Sequence, residues 1–414
     1  MSTVSVTIEK LGAQGHGIAH ADNVPVYVPY ALPGETIAIA RNGDHGTVMS
    51  TSNLSSDRVT PPCKHFGYEG DLCGGCVLQH LADEPYHAFK RNLVIEALKS
   101  RGLEPEVAPL FIARPGERRR VVFSVRQTDK GFLLGYNRAE SNHLFSVEEC
   151  PITSAGIVDR LDTIRAVGRA LAQGSDVFRL AVLETLSGLD IAAEGLKPLN
   201  DKQRRAATET VLSLRGIARL SVNSEVVIEQ QRPLIDFGGT KVSPPPGAFV
   251  QATVPAEEAM SNLVLSHLAK SKRVIDLFAG SGTFALRLAR KAKVHAVEGD
   301  DKSVKSLDHA ARNTQGLKPV TVEKRDLFRR PMMASELKLY DGLVFDPPRA
   351  GADTLAKELA RSAIKSVAAV SCNPATLARD LRILVDGGYR IKTVVPIDQF
   401  LWSAHVEAVA LLEK

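Results

Sequence analysis

The sequence predicts an α/β protein whose C-terminal part is a doubly wound parallel sheet, preceded by a small β-barrel and an α+β middle region. From about residue 242 onward, apolar strands alternate with helical segments, as in parallel sheets covered by helices. Residues 1–52 instead alternate short apolar strands with glycine turns, which is typical of a small barrel. A chain of 414 residues is long enough for two or three domains. We expect these domains to span 1–52, 53–235 and 236–414.

The N-terminal strands are expected at residues 4–8, 24–28, 35–39 and 46–50, and a polar linker is expected at 51–57. An amphipathic helix is predicted over about 83–101. Its apolar face carries Phe89, Leu93, Val94 and Leu98, and its polar face carries Lys90, Arg91 and Lys99.

The middle region mixes strands and helices. Strands are predicted at 120–126, 132–136, 144–147, on both sides of Ser187-Gly188, and at 220–222 and 226–229, with helices at 155–171 and 202–214. A basic run, Arg118-Arg119-Arg120, opens this region, and Arg114 and Arg126 lie nearby. Such a run is more often a solvated face than a binding site.

A glycine turn begins the C-terminal sheet. The segment Asp276-Leu-Phe278-Ala-Gly280-Ser-Gly282 joins a strand to a helix predicted at 284–291, and its glycines allow close approach of a ligand. Glu298 ends the next strand, where an acid can accept hydrogen bonds from ribose hydroxyls. Because a third glycine is missing, a dinucleotide-phosphate cradle is the weaker interpretation. The D-x-F-x-G-x-G pattern resembles the first motif of S-adenosylmethionine-dependent methyltransferases.

Two further strand ends carry reactive side chains. Asp346-Pro-Pro-Arg349 follows the fourth strand of the domain, and the two prolines end that strand. Ser371-Cys372-Asn373-Pro374 follows a later buried strand and precedes a helix. Ligands of open α/β sheets bind at this edge, and a helix N-terminus favours the thiolate form of cysteine. Cys372 is therefore a candidate nucleophile rather than a structural cysteine.

The remaining cysteines are Cys63, Cys73, Cys76 and Cys150. We expect a cytoplasmic protein because the N-terminus shows no signal peptide and no apolar run is long enough for a membrane span. Disulfides are rare in that compartment, so the cysteines suggest metal binding or catalysis. Their spacing alone fits either zinc or an iron–sulfur cluster.

Charge and composition limit the kinds of partner that the protein is expected to bind. The net charge of +5 and pI of 8.9 permit nucleic-acid binding without requiring it. With 5% aromatic residues, extensive base stacking is not expected. We expect a monomer with no membrane partner.

Taken together, the motifs resemble the RNA uracil-C5 methyltransferases, which make 5-methyluridine in ribosomal or transfer RNA. The glycine turn, Asp-Pro-Pro-Arg, Ser-Cys-Asn-Pro and His405-Val-Glu407 occur in that family's order. The resemblance covers essentially the whole chain. It implies a Rossmann-like class I methyltransferase domain, a TRAM-like RNA-binding barrel, and a 4Fe-4S cluster on Cys63, Cys73, Cys76 and Cys150. It also implies that the arginine run contacts RNA phosphates.

The resemblance further implies roles for individual residues. Cys372 would be the nucleophile that adds to uracil C6, and Glu407 the general base that removes the C5 proton. The S-adenosylmethionine site would be formed by Gln251, Phe278, Thr283, Glu298, Asp326 and Asp346.

The barrel and the cysteine set favour 23S ribosomal RNA as the substrate, by analogy with family members that carry both. Three alternatives remain open: a transfer-RNA uracil-C5 methyltransferase, an amino-methyltransferase, and a non-catalytic RNA-binding protein. Arg349 after the paired prolines disfavours the amino-methyltransferase, which usually has an aromatic residue there. Cys372 and Glu407 disfavour the non-catalytic protein.

Overall fold

Three large sheets and a separate two-stranded sheet (β14 Ile235–Asp236 with β15 Lys241–Val242) organise the chain, and the computed structural model describes residues 3–414. The first is a six-stranded sheet in the order β1-β5-β6-β4-β3-β2, in which β1 also packs against β3. Its apolar side chains enclose a small core around Val26, Val28 and Ile39. The predicted strands are found, two further strands join them, and β6 continues into the predicted linker. The strands are β1 Thr3–Thr7, β2 Lys10–Leu11, β3 Gly17–Ala21, β4 Val24–Val28, β5 Thr36–Asn42 and β6 His45–Asn53.

The second sheet has seven strands in the order β13-β12-β11-β10-β7-β8-β9. All its pairs are antiparallel except β11 with β12, which the intervening helix α4 joins as a crossover. The single helix predicted at 155–171 is two helices, α2 and α3. The elements from the helix after the cysteine segment to the end of this region are α1 Asp83–Lys99, β7 Arg120–Thr128, β8 Gly131–Asn137, β9 Leu144–Ser146, α2 Ala155–Val158, α3 Leu161–Leu171, β10 Phe178–Thr185, β11 Gly188–Glu194, α4 Asp201–Ser213, β12 Ile217–Val222 and β13 Glu225–Glu229.

The third sheet is the predicted doubly wound one, in the order β18-β17-β16-β19-β20-β22-β21. Its first five strands in chain order are parallel, and β22 runs antiparallel to both its neighbours. The chain order reverses between β16 and β19, so their carboxyl ends flank the crevice where ligands bind. The elements are β14 Ile235–Asp236, β15 Lys241–Val242, α5 Val254–His267, β16 Arg273–Leu277, α6 Ala285–Leu288, β17 Lys293–Glu298, α7 Asp301–Arg312, β18 Val320–Lys324, α8 Ala334–Leu337, β19 Gly342–Phe345, α9 Asp353–Ala360, β20 Ser366–Ser371, α10 Pro374–Asp386, β21 Arg390–Ile397 and β22 Glu407–Glu413.

Helix α1 packs on the third sheet rather than on the middle region that follows it in sequence. Val94 and Leu98 of α1 belong to the core formed by the C-terminal sheet and its helices. Val107 and Phe111 then form bridges to Val394 and Ile397 of β21. In residues 3–414, the structure contains no helix with the length and apolarity of a membrane span.

Candidate active site

The backbone of the glycine turn after β16 adopts left-handed angles, which are strained for residues other than glycine and are common where a backbone binds a ligand. Phe278 and Gly280 have positive φ angles of 62° and 54°. A Cβ at Gly282 would lie 2.9 Å from Leu286 and 3.1 Å from Leu307, so only glycine fits there. The helix predicted at 284–291 is the single turn α6, and that prediction was too long.

Glu298 ends β17 with its carboxylate fixed by two backbone groups. The N–H of Gly280 donates to Oε2 at 2.9 Å, and the N–H of Asp300 donates to Oε1 at 2.8 Å. The carboxylate therefore bridges the ends of two neighbouring strands. Its remaining lone pairs face the cavity described next, where ribose hydroxyls could donate to them.

A cavity of about 760 Å³ lies at the carboxyl ends of these strands. It is large enough for a nucleoside-sized cofactor and a flipped base together. Seven of the eight residues proposed from the sequence line it: Gln251, Phe278, Thr283, Glu298, Asp346, Cys372 and Glu407.

The eighth residue, Asp326, is not part of the cavity lining. Its Oδ1 accepts hydrogen bonds from the backbone N–H groups of Phe328 and Arg329, at 3.0 and 3.2 Å. Asp326 thus shapes the turn after β18. This turn places the exposed Phe328 ring 5.4 Å from the ring of Phe278.

Cys372 lies between β20 and α10, as predicted. Asn373 caps α10 by accepting from the N–H of Ala375, and the Cys372 thiol is half-buried. Burial raises the pKa of this thiol, and the Glu407 and Asp346 carboxyls raise it further. Burial and these carboxyls therefore oppose the expected stabilisation of the thiolate by the helix N-terminus.

Two buried carboxyls are joined by two amides. The Nε2 of Gln251 donates to Asp346 at 2.9 Å, and the Nε2 of Gln399 donates to Gln251 Oε1 at 2.8 Å and to Glu407 at 2.6 Å. Burial raises the pKa of Asp346 to about 7. Burial raises the pKa of Glu407 well above its ordinary value, and the Asp346 charge adds to that rise. The Asp346 carboxyl can therefore hold or release a proton near neutral pH.

Lys90 is the largest error of the sequence-based interpretation. The helical pattern of the sequence predicts Lys90 on the polar face of α1, but its side chain is fully buried. Its Nζ donates to Asp398 Oδ1 at 2.9 Å. It also donates to the backbone carbonyls of Phe400, at 3.0 Å, and His405. The hydroxyl of Tyr86, one turn earlier on α1, donates to Asp398 Oδ2 at 2.6 Å. Helix α1 therefore fixes the segment that leads into Glu407.

We expect Lys90→Met to destabilise the protein by about 3–5 kcal/mol, because it leaves the Asp398 charge buried without its partner. Trp402, the only tryptophan in the sequence, donates its backbone N–H to Tyr86 Oη at 2.8 Å, so its fluorescence reports on this segment during denaturant unfolding. The matched control is Lys99→Met, an exposed lysine on the same helix, for which a change within about 0.5 kcal/mol is expected. Equal midpoints for the two variants would contradict this prediction.

The sequence matches the model of a known protein family over most of its length. Residues 115–414, which make up most of the chain, match the family model described as tRNA (Uracil-5-)-methyltransferase. The chain belongs to this family. Residues 1–40 match the TRAM domain.

Curated relatives align with this chain over its full length. The chain is 65% identical to an uncharacterized RNA methyltransferase of Agrobacterium fabrum, with 100% of each chain covered. It is 32% identical to the 23S rRNA (uracil(1939)-C(5))-methyltransferase RlmD of Hahella chejuensis, with 100% of this chain and 97% of the relative covered. Among solved structures, the Pyrococcus abyssi tRNA (uracil-54, C5)-methyltransferase with S-adenosyl-L-homocysteine has a TM-score of 0.77 at 22% identity, over 99% of each chain. This likeness confirms the predicted fold.

Family membership makes the protein an RNA (uracil-C5)-methyltransferase. Sequence reasoning did not find Gln399, which lies eight residues before Glu407. The one sequence feature that could have indicated a role for Gln399 is the polar pair Asp398-Gln399 directly after an apolar strand. Ser281 was also missed. Its buried hydroxyl lines the cavity without a hydrogen-bond partner among residues 3–414.

The four other cysteines of this methyltransferase line one cavity of about 250 Å³, and all four are free thiols. Arg118, Arg120 and Tyr136 also line it. Across the described part of the chain, no three His, Cys, Asp or Glu side chains are arranged to hold a metal ion.

Two residues of the arginine run bond to the segment that leads into the C-terminal sheet and its first helix. Arg119 is buried, and its Nη2 donates to Glu257 Oε2 at 2.6 Å, while Arg120 donates to the carbonyl of Ala248 at 3.2 Å. The predicted phosphate contact is thus wrong for Arg119. Arg114 and Arg126 are exposed.

Proposed function

We propose that this methyltransferase modifies C5 of an unpaired or flipped uridine through covalent addition of Cys372 to C6. The observation that carries the proposal is a single cavity that holds the Cys372 thiol, the Asp346 and Glu407 carboxyls, and the glycine turn. A nucleophile, a general base and a cofactor turn are the three parts that this reaction needs.

The chemistry explains why both Cys372 and Glu407 are required. Uracil C5 is a poor nucleophile, but addition of a thiolate to C6 turns the ring into an enolate whose C5 can accept a methyl group. S-adenosylmethionine, when bound, supplies that methyl on a sulfonium. Glu407 then removes the C5 proton and Cys372 leaves, which restores the C5–C6 double bond.

The cofactor side of the cavity is assigned by its polar groups. We propose that Glu298 accepts from the ribose hydroxyls and that Phe278 packs beside the adenosine. Gln251, Thr283 and Asp346 would border the methionine end. Asp326 would act at a distance, through the turn that carries Phe328.

The proposed substrate is 23S ribosomal RNA. The RlmD relative, aligned over the whole chain, supports this choice. The matched TRAM domain and the four-cysteine cavity provide further support. The three sheets also support a division into domains over 1–52, 53–235 and 236–414, although α1 packs on the last of these.

We also propose that Cys63, Cys73, Cys76 and Cys150 hold a 4Fe-4S cluster. The four thiols line one cavity, and four thiolates are the ligands that such a cluster takes. The cluster would order the segment between the barrel and the middle domain.

Anaerobically purified protein should contain iron and acid-labile sulfide in equal amounts, with a visible absorption that chelation removes. Cys76→Ser should lose both iron and absorption, because Cys76 is one of the four ligands and is buried. Cys372→Ser is the matched control and should retain them. Zinc in place of iron, or unchanged iron in Cys76→Ser, would contradict the assignment.

A trapping assay tests the proposed function. Protein and S-adenosylmethionine are incubated with RNA that contains 5-fluorouridine, and the products are separated on a denaturing gel. Fluorine at C5 cannot be removed as a cation, so the RNA should stay bound to Cys372. Sequencing of the trapped RNA identifies the substrate, and transfer RNA would replace the ribosomal assignment. Absence of a band from protein that binds the cofactor would overturn the mechanism.

A further inference from the structure

Both the amide oxygen and the amide nitrogen of the buried Gln399 side chain form hydrogen bonds. It lies between β21 and β22 and is 1% exposed. Its Oε1 accepts from the backbone N–H of Ala252 at 2.9 Å, and its Nε2 donates to Gln251 and to Glu407. Because the backbone N–H can only donate, it fixes which end of the Gln399 amide faces Glu407.

The two oxygens of Glu407 are therefore not equivalent. Oε2 accepts from Gln399 at 2.6 Å. Oε1 is buried and has no hydrogen-bond partner within residues 3–414, although Glu407 lines the cavity. A buried carboxylate oxygen without a partner is unfavourable, so a substrate-facing role accounts for it.

The backbone around Gln399 is also held in place. Asp398 is fully buried between Lys90 and Tyr86 of α1, and Lys90 donates to the carbonyls of Phe400 and His405. These contacts fix the chain on both sides of Gln399. A rigid support of this kind allows one side chain to orient another within a fraction of an ångström.

We propose that Gln399 is a positioning residue that holds Glu407 Oε2 so that Oε1 faces the C5 proton of the methylated adduct. The proposal rests on the proposed function, in which Glu407 is the base. Oε1 takes the proton, and the electron pair of the C5–H bond forms the C5–C6 double bond. The C6–S bond breaks as this double bond forms, and its electrons return to the sulfur of Cys372.

Gln399→Leu removes both donors at similar volume. Release of methylated RNA should slow roughly 10- to 100-fold, because a displaced base loses part of its contribution. Methyl transfer should slow by a smaller factor, through the lost hydrogen bond to Gln251 of the proposed cofactor site. The hydrogen bond from Gln399 lowers the pKa of Glu407, against the effect of burial. Its loss should raise that pKa, so release, which needs the ionised base, reaches half its maximum at a higher pH.

Single-turnover reactions with methyl-labelled cofactor separate these steps, because labelled RNA that is still attached to protein migrates as a shifted band. Gln399→Leu should accumulate this band. The control Gln230→Leu, which loses a hydrogen bond to Val211 in the middle domain, should not. Gln399→Glu is a second variant that keeps the acceptor for Ala252; its carboxyl should move the pH midpoint further upward.

Unchanged release and an unchanged pH midpoint in both variants would overturn the proposal. Equal slowing of methyl transfer and release, with a lower melting temperature, would also overturn it by showing a structural role only. If wild-type protein forms no adduct with 5-fluorouridine RNA, the proposed function itself fails. If wild-type protein forms the adduct but Gln399→Leu releases product normally, only the role of Gln399 fails.

Discussion

Cys372→Ala is expected to abolish methyl transfer, by at least ~10⁴-fold, while cofactor binding is retained. Without the thiol, uracil C5 is not activated, and no other cysteine lines the cavity. Glu298 and the glycine turn lie on neighbouring strands and remain intact. Incorporation of labelled methyl into RNA measures the first effect, and equilibrium dialysis with S-adenosylmethionine measures the second.

The matched control is Thr376→Ala. Thr376 lies in the first turn of the same helix, and its hydroxyl donates to the backbone carbonyls of Arg349 and Asn373, so its loss tests local disruption. It should retain activity within a few-fold of wild type. Methyl transfer by Cys372→Ala at a measurable fraction of the wild-type rate would rule out the covalent mechanism.

The same site predicts a pH dependence for adduct formation. Burial and the two carboxyls raise the pKa of Cys372, so the thiol is mainly protonated near neutral pH. The rate of adduct formation should therefore increase as pH rises through the neutral range.

Glu407→Gln is expected to complete one methyl transfer and then to hold the methylated RNA as a covalent adduct. Glutamine keeps the shape of glutamate and can still accept from Gln399, so the fold is preserved, but it cannot take the C5 proton. Turnover should fall by about 10²–10⁴-fold, the usual contribution of a general base. A denaturing gel with labelled cofactor should show the methyl group on a protein–RNA band.

Glu413→Gln provides the matched control at the opposite end of the same strand. That carboxylate pairs with Lys392 at the surface, 3.6 Å away, and its neutralisation should leave turnover unchanged. Normal turnover of Glu407→Gln would mean that another group removes the proton. Asp346, with a pKa raised to about 7, would be the first residue to examine.

Local sequence patterns predicted most of the architecture. The alternation of strands and helices after residue 242 gave the sheet, because apolar runs and glycine turns are short-range signals. The same signals placed Asp346 and Cys372 at the carboxyl ends of strands, where the structure has them. Parallel strands bring such ends to one edge, and this explains why residues far apart in sequence line one cavity.

Errors arose where a charged side chain is buried by a distant part of the chain. Lys90 appears on a polar helical face in sequence, yet its partner Asp398 lies in a segment that no local pattern connects to it. Arg119 reads as part of a basic surface run, and its partner Glu257 follows more than a hundred residues later. Burial of a charge depends on long-range pairing, which periodicity does not report.

The sequence by itself determined the fold class and supplied the motifs on which the proposed nucleophile, base and cofactor turn rest. Only the tertiary structure decided how these groups are charged and oriented. The pKa of Cys372 depends on carboxyls that folding brings close to it. The orientation of Glu407 depends on its hydrogen bond from Gln399, and the neighbouring Asp398 connects this segment to helix α1. Strand and helix formation follow from neighbouring residues, whereas desolvation and hydrogen bonding at a site depend on every element packed against it.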